Sequence, residues 1–154
     1  MRTATDIALA TACAATQAAT EVVGYYPSWA IYVQYAPSDV DWQRVTHGQH
    51  AVLEVLPDAT LHESADYATT RAALLVEAQV YDVPVLASVG GWEGCTGSRV
   101  QQIAADPTLR AALAQNLTDY CVAHGYAGVS LDWEFPGMAY GPEPACAKLG
   151  KNTA

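Results

Sequence analysis

Positively charged side chains are scarce in this sequence. Seven Lys and Arg residues stand against 16 Asp and Glu residues, which leaves a formal net charge of −9, and the basic residues are not clustered. A protein that binds a nucleic-acid backbone or an anionic membrane surface needs a basic patch. We therefore expect no nucleic acid among the partners, and we expect a neutral ligand.

Long apolar runs are also missing. No segment approaches the roughly 18 consecutive apolar residues that cross a bilayer, so we expect no membrane span. The chain has 154 residues, of which 51% are apolar and 15% are charged. This is the composition of one globular domain with a real core.

The first 20 residues have the outline of a secretory signal. One Arg precedes a short apolar run, and small residues follow around Cys13. Asp6 and several Thr residues dilute the apolar run, so a leader of Ala and Thr without function is the alternative. The pattern predicts a signal peptide or leader over 1–20 and a secreted protein.

Cysteine occurs at four positions. Removal of the leader would leave three, an odd number that permits one disulfide and one free thiol. Cys121 is our candidate for the free thiol because Leu113, Leu117 and Cys121 recur every four residues on one helical face. Cys95 and Cys146 both lie in loop-like segments rich in Gly and Pro, and a bridge between them is left open.

Strand-like and helix-like segments alternate after residue 20. The predicted helices are 37–45 with Ser38 as the cap, 63–80, and 106–125, which runs from an Asp-Pro start to a Gly stop. The predicted strands are 21–32, which runs into a loop at Pro27, 46–56, 83–92 and the stretch GVSLDWEFPG at 128–137. This alternation predicts βαβ units and a parallel sheet.

The stretch GVSLDWEFPG places two carboxylates on one face of a strand. Ser130, Asp132 and Glu134 point one way, while Leu131 and Trp133 between them point towards the covering helices. Active sites of parallel α/β folds lie at the carboxyl ends of the strands. Repulsion between two such carboxylates raises the pKa of at least one, which favours a general acid beside a second carboxylate, as in glycoside hydrolysis. Two solvated acids at an exposed strand end are the alternative.

Four motifs together resemble the first four strands of glycoside hydrolase family 18, the chitinases and related enzymes. In chain order they are VVGYYPSW, VTHGQHAV, VLASVGGW and GYAGVSLDWEFPG. The resemblance covers residues 21–154 and is closest in look to fungal members. It implies a TIM-type (β/α) barrel, a fold that needs eight strands and about 250 residues. We therefore expect a barrel truncated after about four strand–helix units, the N-terminal half of a catalytic domain.

The resemblance also implies roles for matching residues. Glu134 matches the general acid, and Asp132 matches the carboxylate that orients the N-acetyl group of the substrate. In this substrate-assisted retaining mechanism the N-acetyl group itself acts as the nucleophile. Tyr25 and Ser88 match residues that hydrogen-bond the acidic cluster.

Two Trp residues match aromatic platforms for sugar rings. They are Trp92, in the VLASVGGW motif, and Trp29, in the first motif. A place in the core is the alternative for both side chains. The implied ligand is chitin or a chitooligosaccharide.

The sequence departs from the family at two positions of the last motif. Ala127 and Ser130 stand where the family usually has Asp. Ser130 can donate a hydrogen bond to Asp132 but supplies no second carboxylate to share a proton. We therefore expect slower chemistry than in the family.

The second predicted strand departs as well. Gly48 and His50 replace apolar or aromatic residues there, and a glycine inside a strand weakens it or marks a bulge. His47, His50 and His62 are not accompanied by the Cys or carboxylate set of a metal site. We expect neither a metal nor a cofactor.

Three interpretations stay open. The chain is a chitinase whose activity is weakened or absent, a chitin-binding lectin that has lost catalysis, or a nonfunctional fragment. Because a half barrel has open sheet edges, self-association of two half barrels is a further expectation.

Overall fold

The computed structural model describes residues 20–94 and 99–134. Four parallel strands form the sheet, in the order β1-β2-β4-β5, and a short strand β3 pairs antiparallel with β2. Their bounds are β1 Val23–Pro27, β2 His47–Val55, β3 Leu61–His62, β4 Val85–Gly90 and β5 Gly128–Asp132. The predicted parallel sheet is confirmed. Strand β3 was not predicted, and β5 ends at Asp132, before Glu134, which the predicted strand 128–137 included.

The helices are α1 Ala65–Val80, α2 Gly91–Gly94, α3 Arg99–Ala105 and α4 Pro107–His124. The two long helices match the predicted helices 63–80 and 106–125, although α1 begins two residues later than predicted. The Ser64 hydroxyl accepts a hydrogen bond from the backbone N–H of Tyr67 at the start of α1. The Asp106 carboxylate caps α4, which Gly125 ends with a left-handed backbone (φ 81°). None of the helices in the described ranges has the length and apolarity to cross a membrane.

The predicted helix over 37–45 is wrong. Two separate 3₁₀ turns, Pro37–Asp39 and Trp42–Arg44, take its place. Between them Val40 has an extended backbone (φ −70°, ψ 131°), which stops helical hydrogen bonding from continuing. The carboxylate of Asp39, rather than the hydroxyl of Ser38, accepts the capping hydrogen bond at the first turn. The first strand ends at Pro27 as predicted, and a 3₁₀ helix over Ser28–Val33 follows it.

Gly48 does not mark a bulge. A Cβ at this position would lie 3.2 Å from the ring of Trp42 and 3.3 Å from a methyl group of Val85. Gly48 therefore gives room to Trp42, which is buried. The irregularity in the pairing of β2 with β4 lies further along, between His50 and Leu53.

The hydrophobic core lies between the sheet and the long helices. Its side chains include Leu53, Val55, Ala87 and Val89 of the sheet, together with Tyr67, Leu74 and Leu117 of the helices. Cys121 belongs to this core and is a free thiol, as predicted. The leader with Cys13, and the candidate bridge between Cys95 and Cys146, fall outside the described residues.

His50 lies inside this core with both ring nitrogens engaged. Its Nδ1 is 2.7 Å from the Tyr126 hydroxyl and its Nε2 is 2.9 Å from the Thr70 hydroxyl, while the ring stacks on Tyr67 at 3.8 Å. Burial, and then the positive charge of Arg71, lowers the pKa of His50 to about 3. His50 is therefore a neutral structural residue. Within residues 20–94 and 99–134, no cluster of three or more His, Cys, Asp or Glu is placed to hold a metal ion.

Strand β5 leaves part of its apolar face uncovered. Leu131 and Trp133 border a groove together with Ile103 and Leu113, so they lie on the helix side of the sheet as the alternation predicts. Leu131 is nevertheless 71% exposed. In the described sheet β5 pairs only with β4, which leaves one edge open.

Candidate active site

Side chains from three strands meet at the predicted acidic cluster. The hydroxyl of Tyr25, on β1, donates a hydrogen bond to Oδ2 of Asp132, the last residue of β5, at 3.1 Å. The same hydroxyl lies 3.3 Å from Oγ of Ser88, which is fully buried on β4. The structure therefore brings together Tyr25, Ser88 and Asp132, which lie 63 and 44 residues apart in the sequence.

Glu134 follows β5 directly and remains partly exposed. Partial burial, and then the negative charge of Asp132, raises the pKa of the Glu134 carboxyl. A carboxyl group with a raised pKa keeps its proton to a higher pH, which is what a proton donor requires. Burial also raises the pKa of the Tyr25 hydroxyl, which therefore stays protonated as a donor to Asp132.

Ser130 pairs in register with Ser88 on the neighbouring strand, two residues before Asp132. Tyr25 is one donor to Asp132. A hydrogen bond from Ser130 to Asp132 stays a prediction.

Gly90 allows β4 and β5 to approach each other closely at the acidic cluster. Its backbone has φ +116°, a value that L side chains rarely adopt. A Cβ on Gly90 would lie only 2.4 Å from the backbone oxygen of Asp132. The carboxyl end of β5 can therefore reach its position only because residue 90 has no side chain.

A cleft of about 540 Å³ lies beside the acidic cluster, at the carboxyl ends of β1, β2 and β4. Its walls include Trp29 and Trp92, which are 50% and 57% exposed, so neither of them is a core residue. Gly90 also lines the cleft and pairs with Asp132, so the cleft borders the end of β5. The role of the two Trp rings as sugar platforms stays a prediction.

Two carboxylates that the sequence did not reveal line the same cleft, Glu54 and Asp66. Glu54 forms an ion pair with Arg99 at 2.6 Å. Burial raises the pKa of Asp66, but hydrogen bonds from Ser64 and Ser28 outweigh burial and hold that pKa below its usual range. No sequence signal marks Asp66, because an acid in the first turn of a helix is ordinary capping chemistry.

Comparison with known proteins places the chain in a family. The family model described as Glycosyl hydrolases family 18 matches residues 21–146. Chitinase ChiA of Flavobacterium johnsoniae is 29% identical over 141 residues, a match that covers 75% of this chain and 9% of the relative. Chitinase 1 of the fungus Aphanocladium album is 24% identical over 136 residues, covering 75% of this chain and 32% of the relative. The likeness is therefore not particular to fungi.

Solved structures show the same fold. Catalytic domain 2 of the Group II chitinase of Ostrinia furnacalis, solved as a mutant in complex with (NAG)5, superposes with a TM-score of 0.69 at 22% identity. The superposition covers 83% of this chain and 35% of that chain. The described residues thus form part of a TIM-type α/β barrel, and the chain spans about a third or less of the length of these relatives. The chain belongs to the glycosyl hydrolases family 18.

Proposed function

We propose that this chain carries the proton donor and the substrate-orienting carboxylate for hydrolysis of β-1,4-linked N-acetylglucosamine polymers. The arrangement of Tyr25, Asp132 and Glu134 is the observation that carries the proposal. Membership of family 18 supports the reaction class, and the (NAG)5 complex of a structural neighbour supports the ligand class.

Each residue then has a separate task. Glu134 gives its proton to the glycosidic oxygen as the leaving sugar departs. Asp132, fixed by the Tyr25 hydroxyl, orients the N-acetyl group of the substrate so that the carbonyl oxygen of that group attacks the anomeric carbon. Water gives a proton back to Glu134 and opens the cyclic intermediate at the anomeric carbon, so the product keeps the configuration of the substrate.

The departures in the last motif lower the expected rate. Ser130 offers a hydroxyl where a carboxylate would share a proton with Asp132. A general acid by itself contributes about 10²–10⁴-fold, so Glu134 can sustain measurable turnover without that shared proton.

The cleft that contains Trp29 and Trp92 is the proposed binding site for the sugar chain. Exposed aromatic rings offer flat apolar faces to sugar rings, and the net charge of −9 is compatible with a neutral polymer. A lectin that binds chitin without cutting it is the second candidate, and Ala127 and Ser130 favour it.

Secretion and domain boundaries are part of the proposal. Residues 1–20 serve as a signal peptide or leader, and residues 21–154 form the N-terminal half of a catalytic barrel. Self-association of two such halves is part of the proposal as well.

Cleavage of fluorogenic substrates with and without N-acetyl groups tests the proposal. The 154-residue chain should release the fluorophore from an N-acetylated chitooligosaccharide and leave the matching fully deacetylated substrate intact, because only the former carries the nucleophile. Equal cleavage of both substrates would rule out the substrate-assisted mechanism. Tight binding of the N-acetylated substrate without turnover would favour the lectin.

A further inference from the structure

One carboxylate of the proposed cleft has no role in the proposed function. Glu54 and Asp66 both line the cleft, and none of the described residues that line it is a Lys, Arg or His. Arg99 lies 2.6 Å from Glu54 and neutralises its charge. Within residues 20–94 and 99–134, Asp66 forms no ion pair. The negative charge of Asp66 is therefore uncompensated in the wall of the cleft.

The surroundings of Asp66 hold this side chain in its charged form. The Ser28 hydroxyl donates a hydrogen bond to Oδ2 of Asp66 at 3.2 Å, and Ser28 is only 2% exposed. Burial raises the pKa of Asp66, but the hydrogen bonds from Ser64 and Ser28 outweigh burial and hold that pKa below its usual range. Asp66 also lies in the first turn of α1, where the helix dipole stabilises a negative charge. It is thus a fixed, ionised carboxylate that stays partly exposed.

The neighbourhood of Asp66 suits a cation. Trp29 follows Ser28 directly and lines the same cleft, so the indole and the carboxylate lie close together in its wall. A carboxylate forms a charge-assisted hydrogen bond with an ammonium group, and the face of an indole ring attracts a cation. An ammonium group that enters the cleft here is therefore favoured by both side chains.

The ligand class of the proposed function includes a group of this kind. A fully acetylated chain of N-acetylglucosamine is neutral and offers nothing to pair with Asp66. Loss of one acetyl group converts that unit to glucosamine, whose amine is protonated at mildly acidic pH. The net charge of −9 on the whole protein also attracts a partly cationic polymer.

We propose that Asp66 binds the ammonium group of a glucosamine unit, so that the cleft prefers a partially deacetylated chain to a fully acetylated one. This inference rests on the proposed function. The unit at Asp132 keeps the N-acetyl group that acts as the nucleophile. The deacetylated unit lies at another position along the same sugar chain.

Calorimetric titration of the 154-residue chain with a series of hexasaccharides tests the proposal. One ligand is fully acetylated, and each of the others has glucosamine at a single position. All proteins carry Glu134→Gln so that the ligands stay intact. At mildly acidic pH at least one glucosamine-containing ligand should bind the parent about fivefold more tightly than the acetylated ligand. Asp66→Asn should bring the ratio of these two affinities close to unity, because Asn keeps an acceptor oxygen for Ser28 but removes the charge.

Glu77→Gln is the matched control. Glu77 also lies on α1, about three turns after Asp66, and it does not line the cleft. The variant removes one negative charge from the same helix, so the ratio of affinities should stay at the value of the parent.

Two further measurements use the parent alone and do not depend on how well a variant folds. The ratio of affinities should fall when salt is added, because salt screens the pairing of the ammonium group with Asp66. It should also fall when the pH is raised until the amine of glucosamine is neutral. A ratio that responds to neither change would contradict recognition by charge.

The outcomes separate the two proposals. Equal affinity of the parent for every ligand of the series would overturn the inference and leave the proposed function standing. A preference for glucosamine that survives in Asp66→Asn would do the same, because another group would then bind the amine. If the parent binds none of the hexasaccharides, both the inference and the proposed function are wrong.

Discussion

At the scale of single residues, Tyr25 links the first strand to the acidic pair. Its hydroxyl donates to Asp132 and contacts Ser88, so one side chain joins three strands. The family resemblance predicted all three residues, and the structure shows that they are in contact. Periodicity alone could not have found this contact, because it depends on which strands are neighbours in the sheet.

The charge of Asp132 contributes to the raised pKa of Glu134. Asp132→Asn removes this charge and should lower the pKa of Glu134, although partial burial still keeps it above the usual value for a Glu carboxyl. Carboxyl titration by carbon-detected NMR measures the shift. Asp66→Asn serves as the matched control, and an unchanged Glu134 pKa in the Asp132→Asn variant would show that the two carboxylates do not interact.

Gly90 offers a second test at a single residue. Gly90→Ala should lower the free energy of unfolding by at least about 3 kcal/mol, because the new Cβ would meet the Asp132 backbone in addition to the strain of φ +116°. Gly125→Ala is the control. Gly125 also has a positive φ (+81°), but a Cβ there would meet nothing within 4 Å, so a loss of about 1 kcal/mol is expected. Urea unfolding measures both, and equal losses would contradict the proposed close approach of β4 and β5.

At the scale of elements, the sequence predicts the long helices well and the short segments poorly. Helix α4 carries its own signals, an Asp cap, a Pro in the first turn and a Gly stop, and these are local chemistry. The segment 37–45 also has a Pro and a potential polar cap near its start. In the structure, however, Val40 has an extended backbone, and the indole of Trp42 donates a hydrogen bond to the backbone oxygen of Pro37. That contact belongs to tertiary packing, which residue patterns do not contain.

His50 joins β2 to α1 and to the segment before β5. Its pKa is about 3 in the folded chain and 6.5 when unfolded. The unfolded chain therefore binds the extra proton first, so the His50 contribution is complete above pH 6.5 and is lost as the pH falls towards 3. The free energy of unfolding should fall by up to about 1.4 kcal/mol per pH unit in this range.

Comparison with His50→Phe isolates this effect from the titration of other groups. The variant should be less stable at pH 7, because the hydroxyls of Tyr126 and Thr70 each lose one of their hydrogen-bond partners. Its stability should, however, depend less steeply on pH between 6.5 and 4. Parallel curves for the two proteins in denaturant unfolding would show that His50 does not titrate as described.

At the scale of the whole molecule, the described residues form one wall of a barrel. Tyr25, Ser88 and Asp132 lie on its inner side, and the core with His50 lies on its helix side. The parallel sheet followed from the alternation of predicted elements. The cleft with Asp66 and Glu54 could not be predicted in this way, because it is formed by residues from the ends of several elements, which share no sequence pattern.

Turnover by the Glu134→Gln variant is the measurement that decides whether Glu134 is the proton donor. Gln keeps the size of the side chain and removes its proton, so turnover of a fluorogenic chitooligosaccharide by the 154-residue chain should fall by about 10²-fold or more, while affinity for the sugar is retained. Turnover that persists unchanged in Glu134→Gln would show that the carboxylates of GVSLDWEFPG are not the catalytic pair.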